Sequence, residues 1–460
     1  MITAQQIISG LGDLLLQPVA PDRARLSFHK AIVDSRTAVD GDVFVALPGE
    51  RVDGKDYIGD AIQSGATGIL AKRWPDNVPS DLRTRATLFQ VDDPLNSLQT
   101  IARWWRTQCP TKVVGVTGSV GKTSTKEAIA AVLGSKTNVF RSTGNSNTEI
   151  SLPLMLLELE PEHEYAVLEM GMFQKGDIAF LCSLAKPSVG VVTNVGPAHL
   201  ERLGTMERIT EAKSELVESL PEEGVAVLNA DDHRVASMAG KTSARVITYG
   251  IDSTADCRAT DVASRGLDGV DFNIAWQGST LPVHVPLPGR HNVYTALAAA
   301  SVALTAGFTL GEVSAALRNI GTPGRIKVIE TPQGARILDD SYNASPASMK
   351  AGLDLLAELP GRKIAVLGDM LELGAAEASG HEEVGKHAAG IVDALYTVGE
   401  RAQGIGESAR REGLSNVQHF TDLEHLAHAL QPELRSGVSI LIKGSRGMAL
   451  EKLIDLLSKS

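Results

Sequence analysis

The segment at residues 117–124, TGSVGKTS, combines the residue types of a phosphate-binding turn. Gly118 and Gly121 would let the main chain approach an anion closely. The backbone N–H groups at the start of the following helix would add the positive end of its dipole. Lys122 could reach the β- and γ-phosphates, and Thr123 could hold Mg²⁺ through its hydroxyl. The segment therefore predicts a site for a nucleoside triphosphate.

The flanking sequence predicts the elements that position this turn. Val113, Val114 and Val116 indicate a buried strand, and a helix is expected from about Lys122. The strict P-loop pattern is not met, because Val116 occupies its first glycine position. The segment resembles the shorter variant found in amide ligases that consume ATP. The alternative interpretation is a glycine-rich strand-to-helix turn with a surface lysine.

Length and composition predict a multidomain globular protein. The 460 residues correspond to about three domains at roughly 150 residues each. A net charge of −11 argues against nucleic-acid or membrane-surface partners, so an anionic substrate must meet local basic groups. Three cysteines without metal-ligand spacing are typical of a reducing compartment. The N-terminus lacks a basic segment and no long apolar span occurs, so a soluble cytoplasmic protein is expected.

The order of predicted elements divides the chain into three α/β segments. Residues 1–109 alternate short strands and helices, and residues 110–324 form the longer block that contains the glycine turn. Residues 325–460 restart the alternation. Within the central block, residues 257–285 change to short antiparallel strands. The sequence GTPGR at residues 321–325 predicts a hinge before the third segment.

Two polar residues follow predicted central strands. Glu169 ends an apolar strand at residues 164–169, and His199 comes shortly after a strand at residues 189–194. In open α/β sheets ligands bind at the carboxyl ends of strands, so both side chains could reach the phosphate turn. Glu169 suits Mg²⁺ as an oxygen ligand, and His199 could serve a second metal position. The alternative for each is a polar residue in a surface turn.

Lys213 is the anomaly of the predicted helix at residues 206–220. At about 100° per residue it falls inside the apolar stripe that includes Ile209, Leu216 and Val217. Burial would lower the pKa of its ammonium, and a neutral lysine near metal ions can react with CO₂ to give a carbamate. The alternative is an ammonium that reaches water past an apolar stem.

Polar loops supply the remaining candidates. In the first segment, Arg36 could bind a phosphate, although a solvated surface arginine is the alternative. Asn292, near a helix start, could cap that helix or contact adenine. Three loops of the third segment follow strands and are expected at one edge of a sheet, although solvated loop residues remain the alternative. Their polar residues are Asp340, Asn343, Asp369, Glu372, Lys443, Ser445 and Arg446.

Along nearly its whole length the chain resembles the Mur ligases of bacterial cell-wall synthesis. The shared motifs are TGSVGKTS, the Glu169 strand, NVGPAHLERLG, EAKSEL and GRHN. DDSYNASP, VLGDMLELG with His381 downstream, and LIKGSRGMALE most resemble the members that add D-alanyl-D-alanine to UDP-N-acetylmuramoyl-tripeptide. The resemblance implies three domains: an N-terminal α/β UDP-binding domain, a central P-loop ATPase domain with a parallel sheet, and a C-terminal Rossmann-like domain.

The resemblance also implies a role for each matching residue. ATP would contact Thr117, Gly118, Ser119, Val120, Gly121, Lys122, Thr123, Ser124, Asn292, Arg325 and Asp340. Magnesium, as two ions, would be held by Thr123, Glu169, His199 and carbamylated Lys213, and the catalytic group would be Lys122, Glu169, His199 and Lys213. The substrates would contact Ser35, Arg36, Gly54, Lys55, Asp56, Asn147, Thr148, Asn343 and Ser345. Five positions, Lys55, Thr148, Ser151, Thr295 and Ser345, depart from the residues common in the family.

The implied reaction is ATP-dependent ligation through an acyl phosphate, with hinge closure near residues 321–325. The expected chain is a monomer whose partners are the nucleotide tripeptide and the dipeptide. The third residue of the tripeptide, diaminopimelate or lysine, is left open. A sibling ligase that adds a different group is one alternative. A nucleotide-dependent switch or binding module is the other, although such a protein would have lost the metal ligands that are present here.

Overall fold

A computed structural model describes residues 1–49, 52–144, 146–321 and 326–458. The chain divides into two compact units. The first contains Met1–Gly115, Lys136–Met172 and Gly176–Ser188, and the second contains Val116–Ser135, Phe173–Lys175 and Val189–Ser460. Among the described residues no helix has both the length and the apolar character needed to cross a membrane.

The N-terminal part of the first unit contains a parallel four-stranded sheet of order β3-β4-β5-β6. Its helices and strands are β1 Ile2–Thr3, α1 Ala4–Leu11, β2 Ser27–Phe28, β3 Ala31–Ile32, β4 Val43–Val45, α2 Ile58–Ser64, β5 Gly68–Ala71, α3 Ser80–Arg83, β6 Thr87–Gln90 and α4 Pro94–Gln108. Short 3₁₀ helices at Ser35–Thr37 and Gly54–Tyr57 carry the polar loops that the sequence singled out. The core is apolar and includes Phe28 and Phe89, whose rings meet edge to face.

The next elements belong partly to each unit. They are β7 Lys112–Thr117, α5 Lys122–Gly134, β8 Val139–Arg141, α6 Ser151–Leu156, β9 Tyr165–Glu169 and α7 Asp177–Ala185. Strand β7 begins in the first unit and ends in the second, which also contains α5. In the first unit β8 pairs in parallel with β9, so that Glu169 stands at the carboxyl end of a fully buried strand.

Within the second unit, residues 189–318 form a run of six strands of order β15-β14-β13-β12-β11-β10. The elements are β10 Val189–Val192, α8 Leu200–Leu203, α9 Met206–Glu218, β11 Val225–Asn229, α10 His233–Ala236, β12 Arg245–Gly250, β13 Cys257–Ser264, β14 Val270–Trp276, β15 Ser279–Val285, α11 His291–Thr305 and α12 Leu310–Arg318. Strands β10 to β12 are parallel, and β13 to β15 are antiparallel. The predicted change of character at residues 257–285 is confirmed.

Residues 327–458 form a six-stranded sheet of order β16-β17-β21-β18-β19-β20. The elements are β16 Lys327–Glu330, β17 Arg336–Asp340, α13 Pro346–Ala357, β18 Arg362–Gly368, α14 Glu377–Ala389, β19 Ala394–Val398, α15 Gln403–Arg411, β20 Val417–Phe420, α16 Leu423–Leu430, β21 Val438–Lys443 and α17 Glu451–Ser458. Only β16 is antiparallel to its neighbour. Separate apolar cores, one with α13 to α15 and the other with α16 and α17, cover the sheet. The predicted α/β class with Rossmann-like layering is confirmed.

Candidate active site

The turn at residues 117–124 has the predicted order of strand, glycine turn and helix. Gly121 is left-handed, with φ +82°, and α5 begins at the next residue. A Cβ atom on Gly118 would lie 1.9 Å from Oγ1 of Thr193, so only glycine fits there. The Lys122 ammonium folds back over the turn and donates to the Gly118 carbonyl at 2.8 Å. The start of α5 thus has the form of an anion-binding site.

The turn is fastened by the residues that follow β10. The side-chain amide of Asn194 brackets Val120, accepting from its N–H at 2.9 Å and donating to its carbonyl at 2.8 Å. Thr193 Oγ1 also donates to the Val120 carbonyl, at 2.7 Å. Ser119 Oγ donates to the carbonyl of Gly196 and accepts from its N–H. The sequence analysis assigned no role to Thr193 or Asn194, which are the last two residues of the strand predicted at residues 189–194 and lie just beyond the observed strand β10.

Lys213 is buried inside α9. Its exposed fraction is 2%, and the apolar residues Ile209, Leu216 and Val217 of the same helix are buried with it. Burial lowers the pKa of the Lys213 ammonium well below its usual value, and the positive charge of Lys122 lowers it further. The interpretation of an ammonium that reaches water is therefore wrong. Within the described part of the chain, Lys213 has no ion-pair partner.

His199 precedes α8 in a left-handed conformation, with φ +63°. Its Nδ1 atom lies 2.8 Å from Oε2 of Glu372, although the two groups are not aligned for a hydrogen bond. Phe173 meets the imidazole edge to face, with the ring centroids 6.0 Å apart. Burial lowers the pKa of His199, Glu372 opposes that shift, and the charges of Lys213 and Lys122 reinforce it. The ring is consequently biased toward the neutral form that can bind a metal.

Glu169 lies in the first unit, at the buried end of β9. Its backbone N–H donates to the hydroxyl of Ser142 at 3.2 Å. Asn147 donates its side-chain amide to Oε1 of Glu169 at 2.9 Å. The structure thus brings together a residue predicted to bind metal and one predicted to contact the substrates.

The chemistry of the predicted metal ligands can be compared with that of Mg²⁺. Glu169 belongs to the first unit, whereas Thr123, His199 and Lys213 belong to the second. No group of three or more His, Cys, Asp or Glu side chains with metal-binding geometry occurs in the described residues. The predicted set includes only two residues of those types, with a hydroxyl and a lysine beside them. A carboxylate on the buried Lys213 nitrogen would add an oxygen donor of the kind that Mg²⁺ prefers.

In the third segment the prediction that three loops meet at one sheet edge is confirmed. Strand β21 lies between β17 and β18, and all three are parallel. Lys443 Nζ lies 2.6 Å from Oδ2 of Asp340 and donates to the Asn343 carbonyl at 2.9 Å. Ser445 Oγ accepts from the N–H of Leu371 at 2.8 Å, joining the second and third loops.

The remaining residues predicted to contact the nucleotide lie in different elements of the fold. Asn292 donates to the Pro288 carbonyl at 2.7 Å, which closes the turn before α11. Thr295 is buried in that helix. Asp340 is paired with Lys443. Arg325 and most of the predicted hinge lie outside the described residues.

The predicted uridine diphosphate residues occupy two short turns of the first unit. Ser35 is buried, whereas Arg36 has an 86% exposed side chain that pairs with Asp34 at 2.6 Å. That guanidinium lowers the pKa of Asp34 to about 2.

In the second of these turns, Lys55 pairs with Asp53 at 2.8 Å and Asp56 is exposed. A Cβ atom on Gly54 would lie 2.7 Å from the Leu47 carbonyl oxygen, which requires glycine.

Three other predicted substrate residues make local contacts. Thr148 and Ser151 bond to each other through their hydroxyls, 3.0 Å apart, at the start of α6. Ser345 caps α13, where its hydroxyl accepts from the Ser348 N–H at 3.4 Å. Asn343 is exposed and accepts from the N–H of Ala344. These contacts position loops and leave the substrate roles as predictions.

Comparison with known proteins adds three family-model matches. Residues 27–106 match the Mur ligase family catalytic domain, residues 116–303 the Mur ligase middle domain, and residues 324–446 the Mur ligase glutamate ligase domain. An Escherichia coli relative named UDP-N-acetylmuramoyl-tripeptide--D-alanyl-D-alanine ligase is 36% identical over 95% of each chain.

Solved structures agree with these matches. The crystal structure of MurF from Acinetobacter baumannii superposes with a TM-score of 0.87 at 29% identity, covering 100% of this chain and 99% of that one. MurF ligase from Thermotoga maritima, solved in complex with ADP, gives 0.81 at 33% identity over 94% and 97%.

Proposed function

The chain belongs to the Mur ligase family, and we propose that it joins D-alanyl-D-alanine to UDP-N-acetylmuramoyl-tripeptide in an ATP-dependent ligation. The similarity to the Escherichia coli ligase over 95% of both chains is the observation that carries this proposal. The third-segment motifs support the same member of the family, because DDSYNASP, GDMLELG and KGSRGM meet at one sheet edge. The product is the nucleotide pentapeptide, with ADP and phosphate released.

The reaction proceeds in two steps. A carboxylate oxygen of the tripeptide attacks the γ-phosphorus of ATP, giving an acyl phosphate and ADP. The free amine of the dipeptide attacks the acyl carbon, phosphate leaves with that oxygen, and loss of a proton gives the amide. Lys122 and the N–H groups at the start of α5 stabilise the charge on the transferring phosphoryl group. Catalysis of this kind depends on positioning and electrostatics and needs no protein nucleophile.

Magnesium is expected as two ions. The residues that would hold it are Thr123, Glu169, His199 and Lys213. Bound there, it would supply positive charge that offsets the developing charge on the phosphates. The neutral Lys213 amine adds to CO₂, which forms an N–C bond and releases one proton. The resulting carbamate offers the oxygen ligand that the residue set otherwise lacks. Complete burial and the lowered pKa of Lys213 support this modification.

Each segment takes one part of the reaction in this proposal. Residues 1–109 bind the uridine diphosphate, residues 110–324 bind ATP, and residues 325–460 receive the dipeptide and close on the nucleotide. The chain acts as a monomer in the bacterial cytoplasm. Its three cysteines support a reducing compartment, since all are free and buried.

Phosphate release tests the assignment. It is measured with ATP, Mg²⁺ and UDP-N-acetylmuramoyl-tripeptide, with and without D-alanyl-D-alanine. We expect release that depends on the dipeptide, together with the pentapeptide mass. Tripeptides ending in diaminopimelate and in lysine are compared in parallel. Phosphate release that requires a single amino acid and a shorter nucleotide peptide would show that the chain has the activity of another Mur ligase. An absence of phosphate release with every acceptor would contradict the proposal.

A further inference from the structure

The loop at residues 368–374, GDMLELG, is held in one conformation by side chains from two other elements. His381 of α14 donates from Nδ1 to the Glu377 carbonyl at 2.7 Å, which leaves Nε2 to accept from the Met370 N–H at 3.1 Å. Ser445 accepts from the next N–H, that of Leu371, at 2.8 Å. These two hydrogen bonds hold the two successive backbone N–H groups that immediately precede Glu372.

Through Glu372, this loop contacts α8 and the residue that precedes it, His199. Both Glu372 and His199 have φ +63°, a conformation that non-glycine residues adopt at a cost and that clusters at functional sites. Their side chains meet at 2.8 Å, and the Glu372 carbonyl accepts from the Glu201 N–H at 3.4 Å. A Cβ atom on Gly374 would lie 2.7 Å from the Cα atom of Glu201, so the two backbones touch.

A histidine that binds a metal through one ring nitrogen commonly presents the other to a carboxylate, which fixes its tautomer and orientation. Glu372 faces Nδ1 of His199 and leaves Nε2 for a ligand. We propose that Glu372 is a positioning residue for His199, so that docking of the 368–374 loop on α8 orients the imidazole for metal binding. This inference rests on the proposed metal role of His199. Hydrogen bonds in active sites often become aligned only when the ligand is bound, which agrees with the close but unaligned approach of Glu372 to His199.

The rival explanation is an ion pair that merely joins two loops. The side chains are 25% and 47% exposed, and pairs of that kind contribute little to stability. A stability measurement therefore cannot distinguish the two explanations. Metal affinity can, because a contact that only joins loops would leave it unchanged.

The test measures Mn²⁺ binding to the full chain. The concentration of free Mn²⁺ is determined by electron paramagnetic resonance. Glu372→Gln keeps the backbone contact and is expected to weaken Mn²⁺ binding by about 10- to 100-fold. Glu382→Gln removes a carboxylate that pairs with Lys386 on α14 and should leave the affinity unchanged. Equal affinities for Glu372→Gln and Glu382→Gln would overturn the positioning role.

A second pair of variants tests docking of the loop. Gly374→Ala should weaken Mn²⁺ binding, because the new Cβ atom meets the backbone of Glu201. Gly413→Ala is the matched control, since that glycine also has positive φ but its Cβ position is open. His199→Ala separates the two proposals. If it lowers affinity while Glu372→Gln does not, only the inference fails; if the unaltered chain binds no Mn²⁺, the metal site and the inference fail together.

Discussion

The ammonium of Lys443 lies 2.6 Å from Oδ2 of Asp340, and the two residues face each other at the ends of neighbouring strands. Their side chains are only 3% and 11% exposed. Asp340 was predicted to contact the nucleotide, yet in this structure its carboxylate neutralises a buried lysine. The pair therefore holds the edge of the sheet from which the three third-segment loops extend.

This buried pair predicts an asymmetric mutational response. Asp340→Asn should destabilise the chain by about 3–5 kcal/mol, because it removes the carboxylate charge that lies against the buried Lys443 ammonium. The double variant Asp340→Leu, Lys443→Met should recover most of that loss. Chemical unfolding of Asp340→Leu alone, Lys443→Met alone and the double variant gives the coupling between the two residues. Glu383→Gln, at the exposed pair with Lys350, is the control and should change stability by less than about 0.5 kcal/mol. Additive single effects would contradict this role.

Lys213→Met should strongly reduce activity and leave the fold intact. We expect a loss of about 100-fold or more in turnover, because the substitution removes a proposed ligand of the Mg²⁺ that offsets charge on the phosphates. Stability should stay equal or rise, since a buried ammonium is replaced by an apolar side chain of similar size. A large fall in melting temperature would show that Lys213 is needed for folding instead. Carbamylation is measured separately, from ¹³C incorporation at Lys213 with labelled bicarbonate.

The pH dependence of stability follows from the same residue. Burial lowers the pKa of Lys213 in the folded chain below the unfolded value of 10.5. Between these two pKa values the unfolded chain binds more protons, so the free energy of unfolding rises with pH. In buffer free of CO₂, the stability advantage of Lys213→Met should be largest at neutral pH and shrink toward pH 10.5. An advantage that grows with pH would contradict a buried lysine with lowered pKa.

Asn194→Ala should weaken nucleotide binding. The substitution removes both hydrogen bonds from Asn194 to Val120. Thr193 still donates to the Val120 carbonyl, but the Val120 N–H loses this acceptor, and an unsatisfied backbone group costs about 1–3 kcal/mol. ADP affinity measured by calorimetry should fall about tenfold or more. Asn194→Asp keeps the acceptor for the Val120 N–H and should lose less. Unchanged ADP affinity in Asn194→Ala would show that the turn is held without this side chain.

Variants at Ser345 can distinguish a role in capping α13 from a role in contacting the substrate. Ser345→Ala should lower stability by about 1 kcal/mol, because the cap of α13 is lost. Ser345→Asn, the residue that the family commonly has there, retains the cap and should preserve stability and activity. If Ser345→Asn preserves stability but raises the KM for the tripeptide nucleotide, the hydroxyl has a direct role in substrate binding.

The sequence predicts those features of the structure that local backbone geometry or helical periodicity determines. The turn at residues 117–124 was predictable because its glycines and Lys122 are required by local geometry. The burial of Lys213 is confirmed, since a helical stripe has only one face to bury. Strand β16 was missed because its four residues are mostly exposed and lack an apolar pattern.

Partners across the fold were not predictable from sequence. His199 meets Glu372, and Asn147 meets Glu169, through contacts that no local pattern encodes. The partner of Arg36 was also not predicted from the sequence. Its guanidinium is exposed and binds Asp34, two residues away, so its role toward a phosphate stays a prediction.

The most direct test of the central proposal follows oxygen from substrate to phosphate. UDP-N-acetylmuramoyl-tripeptide labelled with ¹⁸O in its terminal carboxylate is incubated with ATP, Mg²⁺ and D-alanyl-D-alanine, and the phosphate is analysed by mass. Ligation through an acyl phosphate predicts one ¹⁸O atom in each phosphate released and formation of the pentapeptide. Unlabelled phosphate would mean that water attacks ATP instead, and would contradict the account.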